Sequence, residues 1–270
     1  MSTQTAGTAS RRNRTRAFIV GALIGTLGGL IGLGGAEFRL PLLIALFGFV
    51  ALEAVVLNKA ISLVVVASAL VFRSGAVPIG TVLSHSSIVL TLLAGSLLGA
   101  WLGADIATRL NGRTLYRVIA AMLAGIALIL LTAHDATASS QPFLSGWLQT
   151  AAGVGAGFII GLVASFLGVA GGELLIPVLV LLFGMEIKLA GSLSLAVSLP
   201  TMLVGFARYS RDRSFTVLAR YPGFALAMAL GSIAGALVGG LLLGVVPSAV
   251  LLPLLAAILL VSAIKMWRHR

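Results

Sequence analysis

Apolar residues fill ten stretches of the chain, near 17–33, 40–52, 54–72, 85–104, 115–133, 143–168, 174–184, 189–207, 222–243 and 249–266. Polar residues are mostly confined to the short gaps between them. The strict alternation of a transmembrane barrel is missing, and lipid cannot satisfy the backbone of an isolated strand. The pattern therefore predicts an all-α polytopic membrane protein. A hydrocarbon core about 30 Å thick takes roughly 20 apolar residues per helical crossing. Residues 17–32 would make a helix of about 24 Å, and residues 40–50 one of about 17 Å, at 1.5 Å per residue. Neither comfortably crosses. The pair reads as a broken or re-entrant hairpin that turns back near mid-membrane, with a marginal two-crossing hairpin as the alternative.

The pattern also repeats. A shift of 136 residues places Gly25 on Gly161, Gly32 on Gly168, Gly35 on Gly171, Glu37 on Glu173 and Pro41 on Pro177. The same register holds for Phe47-Gly48 on Phe183-Gly184, Ala60 on Ala196, Ser62 on Ser198, and Gly95-Ser96 on Gly231-Ser232. Leu and Ala coincide by chance in apolar sequence; a Gly/Glu/Pro constellation in one register does not. The expected organisation is a basic tail over 1–16, a first repeat over 17–133, a linker and the start of the second hairpin over 134–152, a second repeat over 153–266, and a basic tail over 267–270. The first stretch belongs to the repeat, so the arginines before it are not taken as the mark of a cleaved signal peptide.

Charge then sets the topology. Most of the 18 basic residues fall in four clusters: Arg11 to Arg16; Arg109, Arg113 and Arg117; Arg208, Arg211, Arg213 and Arg220; and Lys265, Arg268 and Arg270. With the N-terminus in the cytoplasm, all four lie inside only if each hairpin makes no net crossing. Each half is then a hairpin plus three crossings. Three is odd, so the second half runs in the opposite sense. Inverted repeats are a common plan of secondary transporters, with the site near the midplane. A bacterial-type inner membrane with both termini cytoplasmic is the expected location.

Composition agrees. Hydrophobic residues make up 59% and charged residues 9%, which excludes a soluble or disordered chain. The net charge of +11 would suggest nucleic acid in a soluble protein. Here topology accounts for it, and no nucleic-acid partner is expected. Cysteine is absent, which removes disulfides, thiol catalysis and cysteine-held metals. The three histidines, His85, His134 and His269, lie near segment ends, and no HExxH motif occurs. An intramembrane enzyme has too few parts, and no metal or cofactor is expected. Gly95, Gly99 and Gly103, their repeats Gly231, Gly235 and Gly239, and Gly153, Gly157 and Gly161 form small-residue stripes for close helix packing. Trp101, Trp147 and Trp267 lie near segment ends, where interfacial anchors belong.

Candidate chemistry sits at the hairpin tips, Gly32-Leu33-Gly34-Gly35-Ala36-Glu37 and Gly168-Val169-Ala170-Gly171-Gly172-Glu173. Each reads as a turn that opens a helix, with Pro41 or Pro177 near the helix start. Freed N–H groups and the positive helix end make an anion site, and two tips from opposite sides would focus on one cavity. A tight helical turn without a ligand is the plain alternative. Glu37 and Glu173 are the only acids inside the hairpins. Each either stabilises its helix dipole or couples a proton to anion binding. Lys59 either snorkels to the near interface or faces the cavity and holds the anion. Asn58, Ser62, Ser192, Ser194 and Ser198 could add hydrogen bonds. Arg39 either pairs with a carboxylate or contacts the substrate, and its repeat partner is the apolar Leu175, so the site is asymmetric. The candidate substrate-binding set is Gly34, Gly35, Ala36, Glu37, Asn58, Lys59, Ser62, Ala170, Gly171, Gly172, Glu173, Ser194 and Ser198, with Glu37 and Glu173 as proton-coupling candidates.

Gly32-Leu33-Gly34-Gly35-Ala36 with Pro41, and Gly168 to Gly172 with Pro177, resemble the paired glycine-rich motifs of the TauE/SafE family. The resemblance extends over about 17–266. It implies a permease of two related halves, in a bacterial-type plasma membrane, for sulfite, organosulfonates or related anions. Ala36 and Ala170 depart from an ideal glycine run, and Glu37 and Arg39 are more polar than the family pattern implies. The expected function is thus a secondary transporter of a small anion. An anion channel and a non-transporting scaffold or sensor stand as rivals, and a homodimer is left open.

Overall fold

The protein was analysed as a computed structural model, which describes residues 3–31, 35–73, 78–132 and 144–241, and residues 257, 260, 261, 263, 264 and 267 of the last apolar stretch. It is helical throughout these residues, with no strand among them. The helices are α1 (Thr3–Ile31), α2 (Ala36–Ala45), α3 (Ala51–Arg73), α4 (Ile79–Ser84), α5 (Ser86–Arg109) and α6 (Gly112–Thr132), then α7 (Gly146–Leu167), α8 (Gly172–Phe183), α9 (Ile187–Tyr209), α10 (Thr216–Arg220) and α11 (Pro222–Leu241). Five of them hold segments long and apolar enough to cross a membrane: Ala51–Leu70, Ser86–Arg109, Gly146–Leu167, Leu189–Tyr209 and Pro222–Gly239. Large apolar side chains face outward along them, Leu90 at 63% and Ile159 at 61% exposure among them. Such a surface needs lipid rather than water around it.

The helix boundaries differ from the apolar stretches in instructive ways. Helix α1 continues back through the polar arginine segment to Thr3, because backbone hydrogen bonding does not stop where the apolar run does. Helix α2 begins earlier than the apolar pattern, at Ala36, and ends at Ala45. Pro41 and Pro177 therefore sit inside α2 and α8, in the second turn, rather than at the helix start. Each ring removes the N–H that would reach back to residue 37 or 173, close enough to the helix start to be tolerated. The short α4, and Pro200 inside α9, carried no signal in the apolar pattern.

The glycine stripes decide how the halves meet. Helix α1 packs along α11, and α7 along α5. A Cβ on Gly21 or Gly25 would overlap the carbonyl of Met228 or Ser232, and one on Gly157 or Gly161 that of Leu92 or Ser96. These pairs are one another's images under the 136-residue shift. Gly95 and Gly99 against Val154 and Phe158 match Gly231 and Gly235 against Phe18 and Ala22 in the same way. The contacts advance together along both chains, so each pair of helices runs side by side in the same direction.

Polar contacts gather the basic residues at one end of the bundle. Arg14 lies against Gly223 at the start of α11. Asp105 accepts from Arg109 at 2.9 Å and from Arg208 Nε at 2.9 Å, joining the ends of α5 and α9. The Arg211 guanidinium stacks 5.4 Å from the Trp101 ring, and Arg117 lies 5.9 Å from that of Trp267. Phe47, just after α2, meets Phe224 of α11 at 4.8 Å, so α2 returns to this same end. Gln149 Nε2 donates to Leu182 O at 2.7 Å and brings the start of α7 to the end of α8. Helix α2 has 10 residues and α8 has 12, or about 15 and 18 Å, half a membrane each.

Candidate substrate site

The tips are built by glycines in the left-handed region. Gly35 at φ 68° caps α2, and Gly171 at φ 79° caps α8, with no side chain capping either helix. A side chain there would be strained, and a Cβ on Gly35 would also meet Ile24 of α1. Residues 32–34, and with them the candidate Gly34, lie outside the described residues, as does the side chain of Glu173.

Asn58 of α3 ties the two tips together. Its Nδ2 donates to Ala36 O of the first hairpin at 3.0 Å and to Leu167 O of the second at 2.9 Å. The expected convergence of both tips thus has a physical centre. The amide is fully buried, so these bonds fix the register of the hairpins against α3.

Arg39 is spread over the same point. Nη1 donates to Asn58 Oδ1 at 3.2 Å and to Ser62 Oγ at 3.0 Å, and Nη2 donates to Ser232 Oγ of α11 at 3.2 Å. All three acceptors are neutral, and the guanidinium is wholly buried. Of the five guanidinium N–H donors, Nε–H and one Nη2–H have no acceptor among the described residues. Glu37, two residues earlier and 2% exposed, interacts with Arg39 through opposite charge.

Lys59 does not snorkel. It is fully buried, with Nζ donating to Ser165 Oγ at 3.2 Å and lying 5.8 Å from the Tyr209 ring centroid. It faces α7 and α9, because the adjacent Asn58 takes the face of α3 toward the tips. The other candidates divide. Ser62 joins the Arg39 network. Ala170 packs with Val66 and Met202, and Gly172 opens α8. Ser194 donates to Gly191 O of its own helix at 2.9 Å. Ser192 is buried on the same helix. Ser198 is buried, and its Oγ has no partner among the described residues. Its repeat partner Ser62 receives Arg39, while Leu175 stands where a second arginine would be.

Some polar residues were not singled out from the sequence. Ser232 completes the Arg39 network, and its repeat partner Ser96 pairs with Thr201 at 2.7 Å. Ser165 and Tyr209 surround Lys59. The Gly-Ser pairs of the packing stripes carried a signal for Ser96 and Ser232; Ser165 and Tyr209 had none.

The family profile for the sulfite exporter TauE/SafE matches residues 2–130 and 152–270. The chain belongs to that family. The TauE/SafE match leaves residues 131–151 unmatched. Membership makes this TauE/SafE chain one of a family of membrane transporters, which agrees with its apolar helices and two-part build. No curated protein and no solved structure matches the chain.

Proposed function

We propose that the protein is a secondary transporter of a small anion, a sulfur oxyanion such as sulfite or a sulfonate, bound where the two hairpin tips meet. The observation that carries this is Arg39, a buried permanent cation beside Glu37 whose hydrogen bonds among the described residues all go to neutral acceptors, with two N–H donors left without an acceptor among those residues. A guanidinium fork matches an oxyanion in two-point contact. Burying a guanidinium costs several kcal/mol of desolvation, which ionised Glu37 or a bound anion offsets. Glu37 in the first turn of α2 supplies proton coupling: ionised, it offsets Arg39; protonated, it leaves the cation to the anion. Glu173 is its counterpart in the second half.

The inverted arrangement of the halves is part of the same reading. Helices α5 and α11 are repeat equivalents, and contacts put the end of α5 and the start of α11 at the basic end. Positive charge at that end supports a cytoplasmic face with both termini inside. The hairpin starting with α1 then enters from the cytoplasm and the one starting with α7 from outside. Alternating access is favoured over an open channel because Arg39, Asn58, Lys59 and Ser62 are each no more than 2% exposed, so the described residues close the site to water. The test is counterflow in proteoliposomes. Preloaded unlabelled sulfite or methanesulfonate should drive uptake of labelled anion against its own gradient. Flux without counterflow would make the protein a channel, and no flux of any small oxyanion would sink the transport reading.

A further inference from the structure

Lys59 and Arg39 do not share one pocket. They are served by different helices: Arg39 by α3 and α11, and Lys59 by α7, α9 and α5. Asn58 and Lys59 are consecutive on α3, so their side chains leave it about 100° apart. Arg39 lies on the Asn58 side. Around Lys59, Ser165 Oγ accepts from Nζ and donates to Ala100 O at 2.8 Å, while Tyr209 OH donates to Ser165 O at 2.9 Å. Gly205 leaves the berth open, since a Cβ there would stand 2.7 Å from Nζ. The ammonium has three donors, yet among the described residues a single neutral oxygen accepts from it. Both ion pairs among the described residues are made by Asp105, not by Lys59. A fully buried ammonium with one neutral acceptor is an incomplete site.

We propose that the protein holds its anion at two stations, and that Lys59, with Ser165, Tyr209 and Gly205 around it, builds the second one on a different face of α3 from Arg39. The ligand is a small oxyanion, which would take the two spare ammonium donors. The proposal rests on the transporter reading above and adds a second place of binding to it. Two anions so close repel each other, so the stations fill in separate steps and occupancy of one helps release the other.

The experiment is equilibrium dialysis of labelled sulfite against the full-length protein in lipid nanodiscs. Wild type should bind in two steps approaching two anions per chain. Lys59→Met should weaken one step about tenfold or more, as loss of a charge-assisted contact requires, and leave the other. Arg39→Met should do the reverse. Lys59→Arg keeps the charge and should keep both steps. Gly205→Ala crowds the ammonium and should weaken only the Lys59 step; with Lys59→Arg it carries the test should Lys59→Met not fold. A single step in wild type, unchanged by Lys59→Met or Gly205→Ala, overturns the second station and leaves the Arg39 site standing. Absence of any step overturns both.

Discussion

Replacing Arg39 by Met separates folding from function. Methionine is unbranched, shorter than arginine, and needs no partner. The change removes the two unspent N–H donors, whose contact with an oxyanion contributes roughly 3 kcal/mol if it resembles other charge-assisted pairs. That is about a hundredfold in affinity. Three hydrogen bonds, to Asn58, Ser62 and Ser232, are lost too. Each contributes about 1 kcal/mol. Against them stands the desolvation cost of the buried guanidinium, several kcal/mol, which methionine does not incur. The two are of similar size, so stability should move by less than about 2 kcal/mol. Glu37 loses its opposite charge, a penalty that protonation or an added Glu37→Gln relieves. Labelled-anion uptake and thermal unfolding on the same preparation read both effects. Transport should fall about a hundredfold or more while the unfolding midpoint stays within a few degrees. Normal uptake by a folded Arg39→Met protein would refute the assignment; Arg39→Lys, which keeps charge without the fork, should fall between.

Other expectations follow from the same contacts. In Glu37→Gln, binding of a sulfonate, whose own charge is constant over the range, should lose its tightening as pH falls; an unaltered pH profile removes Glu37 from coupling. Gly235→Leu forces a side chain into the Ala22 carbonyl of α1 and should lower stability by about 1–3 kcal/mol or more, whereas Gly155→Ala, at a position with open space, should be neutral or stabilising in thermal unfolding. The chain has no cysteine, so single cysteines at Arg14, Arg113 and Arg213 can be labelled without background. All three should react from the cytoplasmic side, and one at Ser145 from the other; a split among the first three would break the topology.

Much of the architecture was legible in the sequence. The Gly/Glu/Pro constellation revealed the repeat because turns and close packing tolerate few residue types, and the glycine stripes named the helix faces that touch. The partners of those stripes were not legible: that α1 packs on α11 rather than on its own half is a matter of tertiary arrangement. Lys59 could not be placed because its position along α3 was readable but the direction it faces was not. Arg39 stood out as an oddity, yet its acceptors come from two separated helices, α3 and α11, and no local pattern links residue 39 to Ser232. The glycine turns that open α2 and α8 were readable, but the apolar stretches began late, at 40 and 174, because the first turns carry the polar Glu37, Arg39 and Glu173.

Anomalous diffraction from a crystal soaked with selenite, the selenium counterpart of sulfite, tests the tip-junction site most directly. The account predicts a selenium peak within hydrogen-bonding reach of Arg39 Nε and Nη2, beside Asn58. A peak confined to the basic end, or none in a protein that transports the anion, would contradict it.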